Sequence, residues 1–227
     1  MRVLICSATA FEIAPLENFL KTNFIQAGNF KYRLGQLQVD LLISGVGLPI
    51  TAYSLGKVLV QQQYDFAINA GIAGAIDPNL NIGAVVQVAQ ETFADLGVEE
   101  ANGQYTSVFD LNLIDPNQHP FHKSQLVNPG ASVAQFLPSV NSISVNKVHG
   151  FAPSIEALRK NFPDAQIENM EGAAFFYACL VEDLKFIEIR AISNYVEERN
   201  RENWDIPTAI NNLNQTLMEM IKGLARP

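Results

Sequence analysis

The chain is short of the residues that build metal centres and cross-links. Its 227 residues include three histidines, two cysteines and one tryptophan. His119 and His122 flank Pro120 in a loop-like segment and His149 lies far along the chain, a spacing that offers no zinc site. Cys6 and Cys179 lie in apolar segments, fit no metal motif and read as buried reduced thiols, which points to a cytoplasmic protein. Basic residues are also in deficit. Fifteen Lys and Arg against 23 Asp and Glu leave a formal charge of −8, which argues against binding a phosphate backbone and so against a nucleic-acid partner. No apolar run approaches a membrane span and the N-terminus lacks a basic signal-peptide start, so no membrane partner is expected. The Gly-Val-Gly before Pro49 lacks the third glycine of a dinucleotide fingerprint. Neither a metal nor a cofactor is expected.

Apolar residues, 48% of the chain, suffice for one core, and residues 1–227 read as one domain that binds a small molecule. Strand-like runs alternate with helical patterns, which predicts a layered α/β fold. Residues 2–8 suit a strand, and Ile13, Leu16 and Leu20 place a helix over 11–21. Two short extended runs follow, FKYRLG and QVDLLISG. Pro49 then opens a helix to about Gln62, with Ala52, Leu55 and Leu59 at helical spacing. DFAINAG reads as a strand closed by a glycine turn from Gly71 to Gly74. Residues 84–96 read as a long strand, and Gly97 to Pro129 as an irregular surface excursion longer than a connector needs. SISVNKV resumes the sheet, and Pro153 starts another helix. The apolar helix EGAAFFYACLVED and the buried strand LKFIEIRAIS come next. An amphipathic helix from about Pro207 to Leu224 carries Ile210, Leu213, Leu217, Ile221 and Leu224.

In open α/β sheets ligands gather at the carboxyl ends of strands, which directs attention to four junctions. In Ala8-Thr9-Ala10-Phe11-Glu12 the spacing favours a capping box, Thr9 capping the helix and Glu12 bonding back, over a general base at a cleft floor. In Asn169-Met170-Glu171-Gly172, the small and aromatic residues that follow leave a carboxylate among apolar groups, where a ligand hydroxyl would satisfy it. Arg190, inside a buried strand, needs a carboxylate that Glu171 or Glu12 would supply, with a purely structural ion pair as the alternative to a functional one, and the strand surfaces at Ser193-Asn194. The fourth junction, Gly71-Ile72-Ala73-Gly74, is by itself a common kind of connection.

Together these motifs carry a resemblance. ATAFEI, SGVGLP, INAGIAGAI, NFPDAQIENMEGAAF and RAISN stand in the order and spacing of the nucleosidase/phosphorylase superfamily. Over nearly its whole length the chain is similar to the methylthioadenosine/S-adenosylhomocysteine nucleosidase branch, and the tail ISNYVEERNRENWDIPTAI resembles the futalosine hydrolases. The resemblance implies a three-layer α/β/α nucleoside phosphorylase-like fold around a central mixed, partly barrel-like sheet. It implies that Glu12 activates water, that Met170 and Glu171 bind the ribose, that Arg190 positions the water and the carboxylates, and that Phe151 stacks on the purine. Ala8, Ile72 and Ser193 fall beside these as further substrate-binding positions. A homodimer or larger homo-oligomer, with a neighbouring subunit completing the 5′ end of the site, is also implied.

Two departures refine that expectation. Adenine-specific nucleosidases carry an aspartic acid, as proton donor to the purine N7, where this chain has Asn194. An amide delivers no proton, but it offers an acceptor and two donor hydrogens, which match N7–H and O6 of a 6-oxopurine. Related phosphorylases hold phosphate with an arginine in the glycine segment, where this chain has Asn69-Ala70-Gly71. The expectation is therefore a hydrolase releasing hypoxanthine from futalosine, on an alternative route to menaquinone, with Arg199, Arg201 and Trp204 available to the 5′ aromatic carboxylate. The alternatives are a methylthioadenosine/S-adenosylhomocysteine nucleosidase that tolerates Asn194, and a non-catalytic nucleoside-binding protein. The joint presence of Glu12, Glu171 and Arg190 argues against the latter.

Overall fold

The computed structural model describes residues 1–130 and 136–225. The chain opens with β1 (Arg2–Ser7), where strict alternation sends Val3 and Ile5 to one face and Leu4 and Cys6 to the other, all buried. Helix α1 (Ala10–Asn23) follows with Ile13, Leu16 and Leu20 inward. β2 (Ile25–Gly28), β3 (Lys31–Leu34) and β4 (Leu37–Ile43) make an antiparallel edge. Then come α2 (Leu48–Gln61), β5 (Phe66–Ala75), β6 (Val85–Phe93), the small hairpin of β7 (Gly97–Glu99) and β8 (Tyr105–Ser107), and β9 (Leu126–Val127). The last third holds β10 (Ser139–Ser144), α3 (Ala152–Asn161), β11 (Ile167–Asn169), α4 (Gly172–Val181), β12 (Phe186–Tyr195) and α5 (Ile206–Leu224).

Ten strands share one mixed sheet, ordered β11-β10-β6-β12-β5-β1-β4-β3-β2 with β9 on β6. β11 also pairs antiparallel with the far end of β5, at Gly74 and Ala75, so β5, β12, β6, β10 and β11 close into a ring. The near end of β5 pairs with β1 and carries the open part of the sheet. The mixed, partly barrel-like sheet is thus as expected. Helices α1 and α5 bury Ile13, Leu16, Leu213 and Leu217 on one face of it. α2 and α4 bury Leu55, Phe175, Phe176 and Cys179 on the other, completing three layers.

Some boundaries differ from expectation. β5 does not end at Gly71 but runs to Ala75, so the glycine segment is strand and not turn. β12 likewise continues past Ser193 and Asn194, with a register shift between Ile192 and Asn194. β2 and β11, too short to show a period, went unanticipated. On α2 the inward residues are Leu48, Thr51 and Leu55, while Ala52 faces out. Cys6 and Cys179 are free and buried, and burial pushes the Cys6 thiol up to about 12. Among the described residues no helix is long and apolar enough to cross a membrane.

Candidate active site

The expected capping box at Glu12 is present, and the same carboxylate also reaches β5. Thr9 caps α1, with the Glu12 N–H donating to its Oγ1 at 3.3 Å, and Glu12 Oε2 accepts the Thr9 N–H at 3.0 Å and hydroxyl at 2.8 Å. That leaves Oε1, which accepts the Ile72 N–H of β5 at 3.1 Å. From behind, the buried Asn214 of α5 donates to the Glu12 carbonyl at 2.8 Å and accepts the Leu16 N–H at 3.0 Å. Glu12 is therefore held at both its backbone and its side chain. Ala8 lies beneath, buried, its carbonyl accepting the Gly45 N–H at 3.1 Å.

Glu171 is the N-cap residue of α4, yet its side chain makes no cap hydrogen bond. Other groups take over that task. Asn169 Oδ1 accepts the N–H groups of Glu171 and Gly172 at 2.8 and 2.7 Å, and Ser144 Oγ accepts that of Ala173 at 2.8 Å. The Glu171 carboxylate is thereby free to reach outward. Its Oε1 accepts the Gly47 N–H at 3.1 Å and its Oε2 lies 3.5 Å from Arg190 Nη1. Burial pushes this carboxyl above its ordinary range, opposed by the Arg190 charge and the Gly47 N–H. Met170, beside it, is half-buried.

Arg190 is 1% exposed and sits opposite Gly71 in the β5–β12 pairing. Any side chain at Gly71 would collide with the guanidinium and crowd Glu12 Oε1, which is why a glycine stands in mid-strand. The expectation that Glu171 or Glu12 pairs with Arg190 is half right. Its shorter ion pair is with Glu188, from Nε at 3.0 Å, and Nη2 donates to Asn169 Oδ1 at 3.2 Å. Burial works against the charge, but the Glu188 and Glu171 carboxylates hold Arg190 above its ordinary value. Glu188 and Asn169 escaped the sequence reading. Glu188 was legible, since two residues before Arg190 in a strand puts both on one face.

Farther along β12, Ser193 is buried and donates to Asn194 Oδ1 at 2.8 Å, and Asn194 Nδ2 donates to the Tyr195 carbonyl at 2.9 Å. One lone pair and one N–H of the amide remain unspent. Phe151, at the N-cap of α3, is 69% exposed. Its loop is tied to the end of β12, because the Arg199 N–H donates to the Gly150 carbonyl at 3.0 Å. The Arg199 guanidinium lies 5.2 Å from the centroid of the Trp204 ring. Glu12, Ile72, Glu171 and Arg190 thus converge, with Ala8 and Met170 nearby in sequence, while farther along β12 Ser193 is buried and Asn194 half-buried, and Phe151 of the α3 N-cap is exposed.

Residues 2–225 match the phosphorylase superfamily. A futalosine hydrolase from Streptomyces coelicolor is 32% identical over 176 residues, spanning 75% of this chain and 73% of that protein. An S-adenosylhomocysteine nucleosidase from Streptococcus pyogenes superposes with a TM-score of 0.80 at 21% identity, over 99% of this chain and 97% of that one. The futalosine hydrolase of Helicobacter pylori gives 0.79 at 15% identity, over 98% of both chains. At such identities the two structures speak for the fold alone.

Proposed function

The chain belongs to the phosphorylase superfamily, and from that premise we propose that it hydrolyses the N-glycosidic bond of futalosine and releases hypoxanthine. It is an N-glycosyl hydrolase of nucleosidase type. The observation that carries the choice of base is the Asn194 amide, which retains one acceptor and one donor site beyond its bonds to Ser193 and Tyr195. Those two sites match N7–H and O6 of a 6-oxopurine, whereas a carboxylate would face O6 acceptor to acceptor, costing about 1–3 kcal/mol.

In this reading Glu12 takes a proton from water as the water oxygen bonds to C1′ and the C1′–N9 bond breaks. The electron pair of that bond leaves with the base, which is protonated at N7 from solvent. Glu171 accepts the ribose hydroxyls, its orientation held by Gly47 and Arg190, and strengthens those bonds as positive charge grows at C1′. Met170 packs on the sugar, Phe151 stacks on the base, and Ala8, Ile72 and Ser193 line the cleft. Arg199 and Arg201 meet the 5′ aromatic carboxylate.

We also propose that the enzyme is a homodimer. An apolar groove of about 520 Å³ runs between α2 and α4, lined by Ala52, Leu59, Ala174, Tyr177, Ala178 and Val181. It reaches Leu48, whose neighbour Gly47 bonds Glu171, so a second copy seated there would lie beside the candidate site. Buried free thiols at Cys6 and Cys179 support a reducing, cytoplasmic setting.

Incubation with futalosine, inosine and methylthioadenosine in phosphate-free buffer, with identification of the released base, tests the reading. Hypoxanthine from futalosine is expected. Adenine from methylthioadenosine with futalosine untouched would overturn it.

A further inference from the structure

Beneath the Glu171–Arg190 contact lies a second pair of acids that the reaction does not use. Glu91 of β6 and Glu188 of β12 are both fully buried. Their Oε1 atoms close on one point beside the Gly172 Cα, so near that a Cβ there would meet both. Gly172 is therefore the only residue type that admits the pair under the first turn of α4. The partners of the two acids differ in kind. Glu188 is bonded by the Arg190 Nε at 3.0 Å and by Asn69 Nδ2 at 2.9 Å. Among the described residues the hydrogen-bond partners of Glu91 are neutral: Ser144 Oγ at 2.8 Å, Asn169 Nδ2 at 2.6 Å and the Ser142 hydroxyl.

The charges around this point do not balance. Glu12, Glu171, Glu188 and Glu91 are four buried carboxyls, and among the described residues Arg190 is the buried cation, set against Glu188, Glu171 and Glu12. Cys6 and Cys179 also face Glu188, and neither thiol gives up its proton in such a setting. Two carboxylates forced together in a dry interior hold one proton between them. The arginine decides where it resides, because a guanidinium favours the ionised form of the acid it touches.

We propose that Glu91 and Glu188 form a buried acid pair sharing one proton, carried on Glu91, and that the pair positions Arg190 against Glu171. Asn169 is the coupling between the layers. Its Nδ2 donates to Glu91 while its Oδ1 accepts from Arg190 and from the N–H groups that begin α4. Loss of the shared proton places a second negative charge beside Glu188 and draws the guanidinium down, away from Glu171. Burial, followed by the Glu188 charge, pushes the Glu91 carboxyl well above its ordinary range, in keeping with this geometry. Glu188 and Glu91 are positioning residues, acting through Arg190, and their effect on turnover rests on the nucleosidase reading above.

The test compares Glu91→Gln with Glu188→Gln. Infrared difference spectra of the wild type against E91Q in D2O are expected to show a protonated-carboxyl band at neutral pH that E91Q lacks. E91Q removes the shared proton but leaves Glu188 on Arg190, so it is expected to lower kcat less than E188Q does. E188Q takes the carboxylate from Arg190 and lowers kcat on the order of 10²-fold, with KM little changed. The wild-type kcat profile falls on its alkaline side, and E91Q removes that fall. A band that persists in E91Q, equal kcat losses in the two variants, or an unchanged alkaline limb in E91Q would each overturn the proposal. The infrared arm needs neither E188Q nor a substrate, so its failure overturns the shared proton even if E188Q does not fold or futalosine is not turned over.

Discussion

The Ile72 N–H donates to Glu12 Oε1 at 3.1 Å while the other oxygen of that carboxylate closes the capping box on Thr9. One side chain thus serves both the helix start and β5, which lets its structural role be separated from the proposed catalytic one. Gln also completes a capping box. Glu12→Gln is expected to keep the fold, at a cost of about 1 kcal/mol for the mismatched Ile72 N–H. The same variant loses on the order of 10²–10⁴-fold in kcat, because an amide accepts no proton from water. Thermal unfolding and steady-state kinetics on one preparation read both. Full activity in E12Q would remove Glu12 from the role of base.

Asn194→Asp keeps the acceptor toward Ser193 Oγ but loses the N–H toward the Tyr195 carbonyl and toward O6 of a 6-oxopurine. The unpaired contacts cost about 1–3 kcal/mol, so kcat/KM on futalosine falls roughly tenfold to hundredfold. Unchanged rates would mean that the amide does not read the base.

The ends of these motifs were legible in the sequence to different degrees. Short, largely apolar runs marked β1 and β12 as buried strands, and the stripes Ile13, Leu16, Leu20 and Ile210, Leu213, Leu217, Ile221 marked α1 and α5. The glycines of β5 misled, because Gly71 answers to the approach of Arg190 and Glu12 from other elements, which no local rule contains. Asn214 sat in view as a polar residue on a buried stripe, but its partner lies 198 residues away at Leu16. Asn169 was quoted as part of a motif and passed over. An amide that replaces a helix cap is recognised only when the cap residue is seen pointing elsewhere.

Glu171 carries a pH signature. Its folded carboxyl titrates above the ordinary 4.5, with burial as the leading cause. Between those two values the folded state holds the proton more tightly than the unfolded chain, so this group's contribution to stability falls as pH rises through the window. Glu171→Gln has no such proton to lose. Denaturant titrations across pH are expected to show the wild type losing stability relative to E171Q as pH climbs from 4.5, while E171Q is the poorer catalyst. Parallel stability profiles would contradict the burial argument.

Arg199 and Arg201 are exposed beside the Phe151 loop, and Arg199 stacks on Trp204. Replacing each by Ala is expected to raise the KM for futalosine about tenfold, the loss of one charge-assisted hydrogen bond. Any turnover of inosine, which lacks the 5′ carboxylate, should not change. Equal effects on both substrates would assign the arginines to the loop's structure and not to the ligand.

Ala52 separates pairing from folding. It is exposed on α2 yet lines the groove shared with α4, so a charge there costs the single chain little, within about 0.5 kcal/mol. In a dimer the same charge would be driven into a largely apolar contact beside Ala174, Ala178 and Val181, with the Glu182 carboxylate also lining the groove. Light scattering is expected to give the mass of two chains for the wild type and of one for Ala52→Glu, with the far-ultraviolet spectrum unchanged. Because the groove reaches Leu48, next to the Gly47 that bonds Glu171, the separated chain should also show a raised KM. A wild type that runs as a monomer would remove the partner from the site, and an A52E dimer would move the interface to another face.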